Sequence, residues 1–311
     1  MDGIRGNFLR VYLVCIICVF WTLRTIHHFW LSQLPISIRF CDVGQGDGAH
    51  VRIVPDIDIL IDTGPDEKIL ECLGKGMSAS DREIELVLLT HFQKDHTGGL
   101  KAILKRYKIA QIILPPYSDS KRKIEDILAD ISGETQVLIL KANDVLIYPN
   151  VRFAILWPKS TLPMKVSRLE SVTLTSEDLN ERSYVVLMSV DDTNVLFTGD
   201  THGDILDRLR NSTCHDGPCL PYMISILKVP HHGAKNGVSR SFYDQTSISM
   251  AVVSAGKDNT FGHPSRLLID TLDAHKIVTL VTRDIGDIWI SISKDGHWEY
   301  QPRSAFLKML D

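Results

Sequence analysis

The apolar positions fall into short strand-like runs separated by helical stretches and turns. Ile36 to Phe40 alternates apolar and polar residues, as a half-buried strand does. Val51 to Val54 and Ile57 to Ile61 follow closely enough to predict an antiparallel meander. Ile84 to Leu89 is an apolar run rich in branched residues, which predicts a buried parallel strand. Helical spacing appears over Glu67 to Gly74, over Gly99 to Tyr107 through Leu100, Ile103 and Leu104, and over Lys121 to Ser132 through Ile124, Ile127, Leu128 and Ile131. Gln111 to Leu114 is a strand stopped by Pro115 and Pro116.

The second half continues in the same style. Val137 to Leu140, Val145 to Ile147 and Val151 to Leu156 read as strands, and Lys159 to Glu177 as a surface loop without periodicity. Ser183 to Val190 and Asn194 to Thr198 form a hairpin across Asp191, Asp192 and Thr193. Met223 to Val229 and Met250 to Ser254 are strands, Asp204 to Arg210 and Arg266 to Ala274 helices. Ile277 to Val281 and Asp287 to Ser293 are expected to close the sheet. Alternation of this kind predicts layered α/β packing.

The apolar run Val11 to Leu23 follows Arg5 and Arg10 and precedes Arg24. It is short for a membrane-spanning helix and lacks a small-residue cleavage site. The expectation is an N-terminal segment over 1–34 acting as an uncleaved signal anchor in preference to a removed signal peptide. A folded domain over 35–311 would then be membrane-anchored or secreted and extracytoplasmic. Cys214 and Cys219 bracket a polar loop and suit a local disulfide, in keeping with export. Cys41 and Cys72 read as core residues.

The 311 residues include 44% hydrophobic residues and carry a formal charge of −4. The length suffices for a large core, and no global basic field draws nucleic acid. The basic clusters Lys101 to Lys108 and Lys121 to Lys123 read as solvated helix faces.

The chemistry concentrates at Thr90 to Gly99, THFQKDHTGG, just after the buried strand. His91, Asp95 and His96 carry nitrogen and oxygen donors suited to zinc, manganese or iron. A polar turn with incidental surface histidines is the plainer reading of that stretch alone. Other strands also end at donors: one at Asp200, one at His231 and His232, one in the loop containing His263. The inventory His91, Gln93, Asp95, His96, Asp200, one of His231 and His232, and His263 exceeds what one ion needs and suits two divalent ions, zinc or manganese. Asp200 can bridge them.

THFQKDHTGG resembles the H-x-[HD]-x-D-H motif of metallo-β-lactamase-fold hydrolases. CDVGQGDGAH, ILIDTG, that motif, NERS, FTGD, KVPHHG and FGHP occur in an order similar to the C-terminal hydrolase domain of ComEC and its stand-alone relatives. The resemblance covers about residues 36 to 300. It implies an αββα sandwich, an α/β fold, with a two-metal site between the sheets and the apolar helix added at the N-terminus. It also implies that His91 serves the first metal, Asp95 and His96 the second, Asp200 both, and His263 the second. Asn180 and Ser183 stand where the family has a further histidine, so His231 or His232 would serve the first metal and the other would meet substrate or donate a proton. Gln93 departs from the motif and brings no charge.

The expected activity is metal-dependent hydrolysis of DNA or another phosphodiester. Asp95, His231 and His232 are the expected catalytic groups. Asp47, Asn180, Ser183, Lys228, Lys235 and Lys257 are the expected substrate contacts. The alternatives are hydrolysis of a small phosphoester or phosphorylcholine-type group, and a degenerate, non-catalytic binding module. The apolar N-terminal segment would supply membrane contact, and no protein partner is inferred.

Overall fold

In the computed structural model, which describes residues 13–26, 35–116, 121–159, 176–214 and 217–302, the early alternating runs form an antiparallel meander. Its strands are β1 (Ile36–Phe40), β2 (Ala49–Ile53) and β3 (Ile57–Ile61). Three parallel strands extend it: β4 (Glu83–Leu88), β5 (Lys108–Ile113) and β6 (Gln136–Leu138). A second sheet begins with the antiparallel β7 (Val145–Tyr148), β8 (Val151–Trp157), β9 (Val185–Val190) and β10 (Thr193–Phe197). After the two-residue strands β11 (Thr213–Cys214) and β12 (Gly217–Pro218) it continues in parallel through β13 (Met223–Lys228), β14 (Ser247–Val253) and β15 (Val278–Val281).

The chain then returns to the first sheet. β16 (Ile288–Ile292) pairs with β1, and β17 (Trp298–Gln301) pairs with β16. The sheet orders are β17-β16-β1-β2-β3-β4-β5-β6 and β15-β14-β13-β10-β9-β8-β7. The two closing strands expected in one sheet therefore belong to different ones. Ile288, Ile290 and Ile292 are buried and alternate with half-buried neighbours, so β16 turns its apolar face into the space between the sheets. β17 was not evident from the pattern, because Trp298 and Tyr300 only pack against that core from its edge.

Three apolar clusters give the layers. Ile38, Phe40, Val51, Phe153, Val186, Phe197 and Val252 fill the space between the sheets. Ile69, Leu73, Val87, Leu100 and Ile112 join helices to the outer face of the first sheet. Leu206, Leu209, Phe242, Leu268 and Ala251 do the same on the second. The outcome is an αββα sandwich, with each sheet apolar on both faces. Helix Arg266–Ala274 starts where Ser265 Oγ accepts from Leu268 N, and it carries the crossover from β14 to β15. The helices Ile69–Gly76 and Leu100–Leu104 are offset from or shorter than their apolar spacing suggests.

Cys214 and Cys219 form a disulfide. Cys41 and Cys72 are buried, as expected of core residues, but they too are bonded to each other. Residues 13–26 form a helix whose large apolar side chains, including Phe20 and Trp21, are all exposed. No helix among the described residues is long and apolar enough to cross a membrane. Most of the stretch expected as a loop at Lys159 to Glu177 lies outside the described residues.

Candidate metal centre

The centre forms at one rim of the sandwich, where loops from both sheets meet. On the first sheet β4 leads into Thr90 and His91. Asp62, at the end of β3, accepts Thr90 N at 2.7 Å and Thr90 Oγ1 at 2.8 Å, which fixes the loop carrying His91. The short helix Lys94–Thr97 then presents Asp95 and His96. Gly98 makes the tight exit possible: a Cβ there would lie 2.1 Å from the Pro65 carbonyl oxygen. The Gly-rich turn after β1 closes over the same helix. Asp47 N donates to the Asp95 carbonyl at 3.1 Å, and Gly46, at φ +147°, would place a Cβ 2.3 Å from that oxygen.

On the second sheet β10 leads into Gly199 and Asp200, whose backbone N–H donates to Ser183 Oγ at 3.3 Å. β13 leads into the turn Pro230–Gly233, where His231 and His232 both take left-handed backbone, with φ 49° and 54°. That conformation is costly for residues with a Cβ, and surrounding bonds hold it. His231 N donates to Gly199 O at 3.1 Å, Ser265 N to Gly233 O at 2.8 Å, and His232 Nδ1 lies 3.0 Å from Ser254 O.

These loops converge on Asp200. Its Oδ1 is 3.2 Å from His96 Nε2; its Oδ2 is 3.5 Å from His232 Nε2, 3.7 Å from His231 Nε2 and 3.8 Å from His91 Nε2. His232 Nε2 is also 3.3 Å from Asp95 Oδ2. Ligand atoms of Asp95, His96, Asp200 and His232 all lie within 4.8 Å of one another, a group able to hold a metal ion. The imidazole Nε2 atoms of His91, His96 and His232 and both Asp200 oxygens are buried without a hydrogen-bond partner. Buried polar atoms are seldom left in that state. Nitrogen and carboxylate donors so exposed to one another fit a divalent cation, which would satisfy them together.

Residues 51–247 match the model of the metallo-beta-lactamase superfamily. The chain belongs to that superfamily. Its donors are those of a metal-dependent hydrolase of this group. It is 27% identical to ComE operon protein 3 of Bacillus subtilis (strain 168) over 276 residues, covering 81% of this chain and 32% of the relative. It is 25% identical to Recombination protein 2 of Haemophilus influenzae over 290 residues, covering 89% of this chain and 31% of that one. The chain thus spans about a third of the length of these relatives. Among solved structures it is similar to Zn(2+)-bound PqqB from Methylobacterium extorquens, with 11% identity, 82% of this chain and 87% of that one covered, and a TM-score of 0.47.

Within this superfamily fold the candidate donors are distributed differently from the sequence expectation. His232, not His263, stands with Asp95, His96 and Asp200. The left-handed turn causes this: it sends His232 inward, with 1% of its surface exposed, and leaves His231 nearer the opening. The His263 ring stacks 6.3 Å from that of His232 and lies 5.8 Å from that of His231. Gln93 Nε2 donates to Asn180 Oδ1 at 2.6 Å, and Asn180 Nδ2 is 3.4 Å from His231 Nε2. Asn180 therefore joins two donor positions.

Asp47 and Lys228, both expected at the substrate, are buried and meet each other at 2.8 Å, and Asp47 Oδ1 also lies 3.2 Å from His232 Nδ1. Ser183 is buried beneath Asp200. Lys235 and Lys257 are exposed in the loops that carry the histidines. Asp62 escaped the sequence reading. It accepts from His96 Nδ1 at 2.8 Å, which aims Nε2 at Asp200. A carboxylate ending a buried strand in ILIDTG was the available signal.

Burial opposes charge on the sealed groups, and charged neighbours reverse it at some of them. Burial and the nearby His96 push His91 down to about 3. Burial opposes the charging of His232, but Asp200 and Asp47 overcome it and raise its pKa to about 10. The same opposition ends with His96 raised, by Asp200 and Asp62, and with Asp200 held well below the usual carboxylate range by His232 and His96. In the metal-free protein, protons on His96 and His232 supply the positive charge beside Asp200 that a cation would otherwise bring.

Proposed function

We propose that the chain hydrolyses phosphodiester bonds, with DNA the leading substrate, through a metal centre built on Asp200. The observation that carries this reading is the set of unpartnered, buried donor atoms on His91, His96, His232 and Asp200. Asp95, His96, Asp200 and His232 would hold one ion; His91 and His231, sharing Asp200, would hold a second. A bound divalent ion would supply Lewis acidity, activating water and neutralising charge that develops on phosphoryl oxygens.

The chain's own groups divide the remaining work. Asp95 is partly exposed while the neighbouring donors are sealed, so it is placed to orient water and take a proton. His231 is the more open histidine of its pair, and its Nδ1 lies 3.0 Å from Asn236 Oδ1, which fixes the ring. With Nδ1 so held, Nε2 would face the second ion. Lys235 and Lys257 offer cations to neighbouring phosphates. Support for a nucleic-acid substrate comes from the similarity to a protein named for recombination.

The two disulfides favour folding in an oxidising compartment, and we place the domain outside the cytoplasm on that ground. The activity is tested by incubating zinc- or manganese-loaded protein with DNA, a phosphorylcholine ester and a lactam reporter. DNA cleavage lost in Asp200→Ala supports the reading. Turnover of only the choline ester would transfer the site to small phosphoesters.

A further inference from the structure

Phe261 is 70% exposed, although it sits in a loop that is otherwise tightly held. Asn259 Nδ2 donates to Gly256 O at 2.8 Å and to His263 O at 2.9 Å, and its Oδ1 accepts His263 N at 2.9 Å. Arg283 Nη1 donates to His263 O at 2.7 Å. At the other end Gly256 N donates to Gln45 Oε1 at 3.3 Å, and a Cβ on Gly256 would come within 2.7 Å of Gln45 N. The loop is thus anchored to the Gly-rich turn that supports Asp95.

The exposed ring is aligned with the metal centre. Phe261 stacks on His263 at 5.7 Å between centroids and 24° between planes. His263 stacks on His232 at 6.3 Å and 24°. The row Phe261, His263, His232 leads from solvent to the four-donor group. A large apolar ring fixed in water gains little for folding, but its free face suits a flat π-system. Lys257, exposed on the same loop, provides a cation nearby. A nucleobase next to the scissile phosphate meets both features: its face is flat and apolar, and its backbone is anionic. Base pairs in a duplex bury those faces, so the feature selects an unpaired base, and it tolerates any sequence because every base has a π-face.

We propose that Phe261, backed by His263, is a stacking platform for an unpaired base flanking the scissile phosphate at the metal centre. The proposal rests on the phosphodiesterase reading for the role of that phosphate. The test compares a fluorescent single-stranded oligonucleotide with an equally long strand of abasic residues. Binding to the full-length, metal-free chain is followed by anisotropy at low salt, and cleavage is followed after manganese loading.

Wild type should bind the base-bearing strand about tenfold more tightly than the abasic one. Phe261→Leu keeps apolar bulk and should bring the base-bearing strand down to the abasic level, with the loss in cleavage falling on KM. Phe261→Tyr should retain the difference. Equal affinity for both strands in wild type, or equal weakening of both by Phe261→Leu, would overturn the platform. Base-dependent binding through Phe261 without cleavage of either strand would uphold the platform and refute the phosphodiesterase reading. Equal cleavage and binding of both strands, indifferent to Phe261→Leu, would do the reverse.

Discussion

Gln93 and Asn180 are joined side chain to side chain, with Nε2 of the first donating to Oδ1 of the second at 2.6 Å. A neutral amide, Asn180, therefore meets His231 and links it to the neutral Gln93, whereas Asp95 and two imidazoles group with Asp200. Charge separates the two positions. The group of Asp95, His96, Asp200 and His232 has two carboxylates; the other position shares only Asp200.

Metal titration should accordingly show one tight ion per chain and a second that a mild chelator strips first. Gln93→Asp should tighten the second ion by about tenfold, roughly the effect of one added charge near the surface. Bound metal after stepwise chelation checks this. Simultaneous release of both ions in wild type, with Gln93→Asp unchanged, would contradict the asymmetry.

Asp62 aims His96 and holds Thr90 without belonging to the four-donor group. Asp62→Asn should lower metal affinity about 10- to 100-fold. Competition with a fluorescent chelator gives the affinity, and circular dichroism checks that the sandwich persists. Unchanged affinity in a folded variant would mean that His96 needs no such support.

The protonated imidazoles make the stability of the metal-free protein depend on pH. Against the opposing effect of burial, Asp200 and Asp47 push the pKa of His232 in the folded, metal-free protein up to about 10, from an ordinary imidazole value of 6.5. This raised pKa contributes stability that is full below about 6.5 and lost as pH rises through about 10. The metal-free melting temperature should fall over that interval, and zinc binding at pH 7 should release about one proton or more. Calorimetry in buffers of different ionisation enthalpy measures the release. Binding with no proton release would contradict the assignment of His232 and His96 as protonated donors.

The disulfides should differ in weight. Cys41–Cys72 spans 31 positions and Cys214–Cys219 spans 5. Chain-entropy arguments give stabilisation on the order of 3–4 kcal/mol for the first and about 2 for the second. Cys72→Ser should lower the melting temperature more than Cys219→Ser. Mass mapping without reduction should recover both linked peptides; free thiols at all four positions would refute the pairing.

Much of this architecture was legible because the relevant signals are local. The strands β4, β10 and β13 are mainly apolar, and each runs directly into a loop that carries a donor. What sequence could not show was set by backbone handedness and by contacts between sheets. Nothing in PHHG reveals that left-handed φ at both histidines turns His232 toward Asp95 and leaves His263 to stack behind it. Asp47 and Lys228 looked available to substrate because nothing local shows that a turn of one sheet buries its carboxylate on a strand end of the other. The Cys41–Cys72 bond depends on helix Ile69–Gly76 lying over the exit of β1, a tertiary relation.

The central claim is that Asp200 organises a metal centre that hydrolyses phosphodiesters. Its most direct test is the rate of oligonucleotide hydrolysis measured against bound manganese per chain as the metal-free protein is titrated. The rate should rise with occupancy of the Asp95, His96, Asp200 and His232 group, and Asp200→Ala should abolish both binding and rate while remaining folded. Full occupancy with no hydrolysis, or hydrolysis that survives Asp200→Ala, would contradict the account.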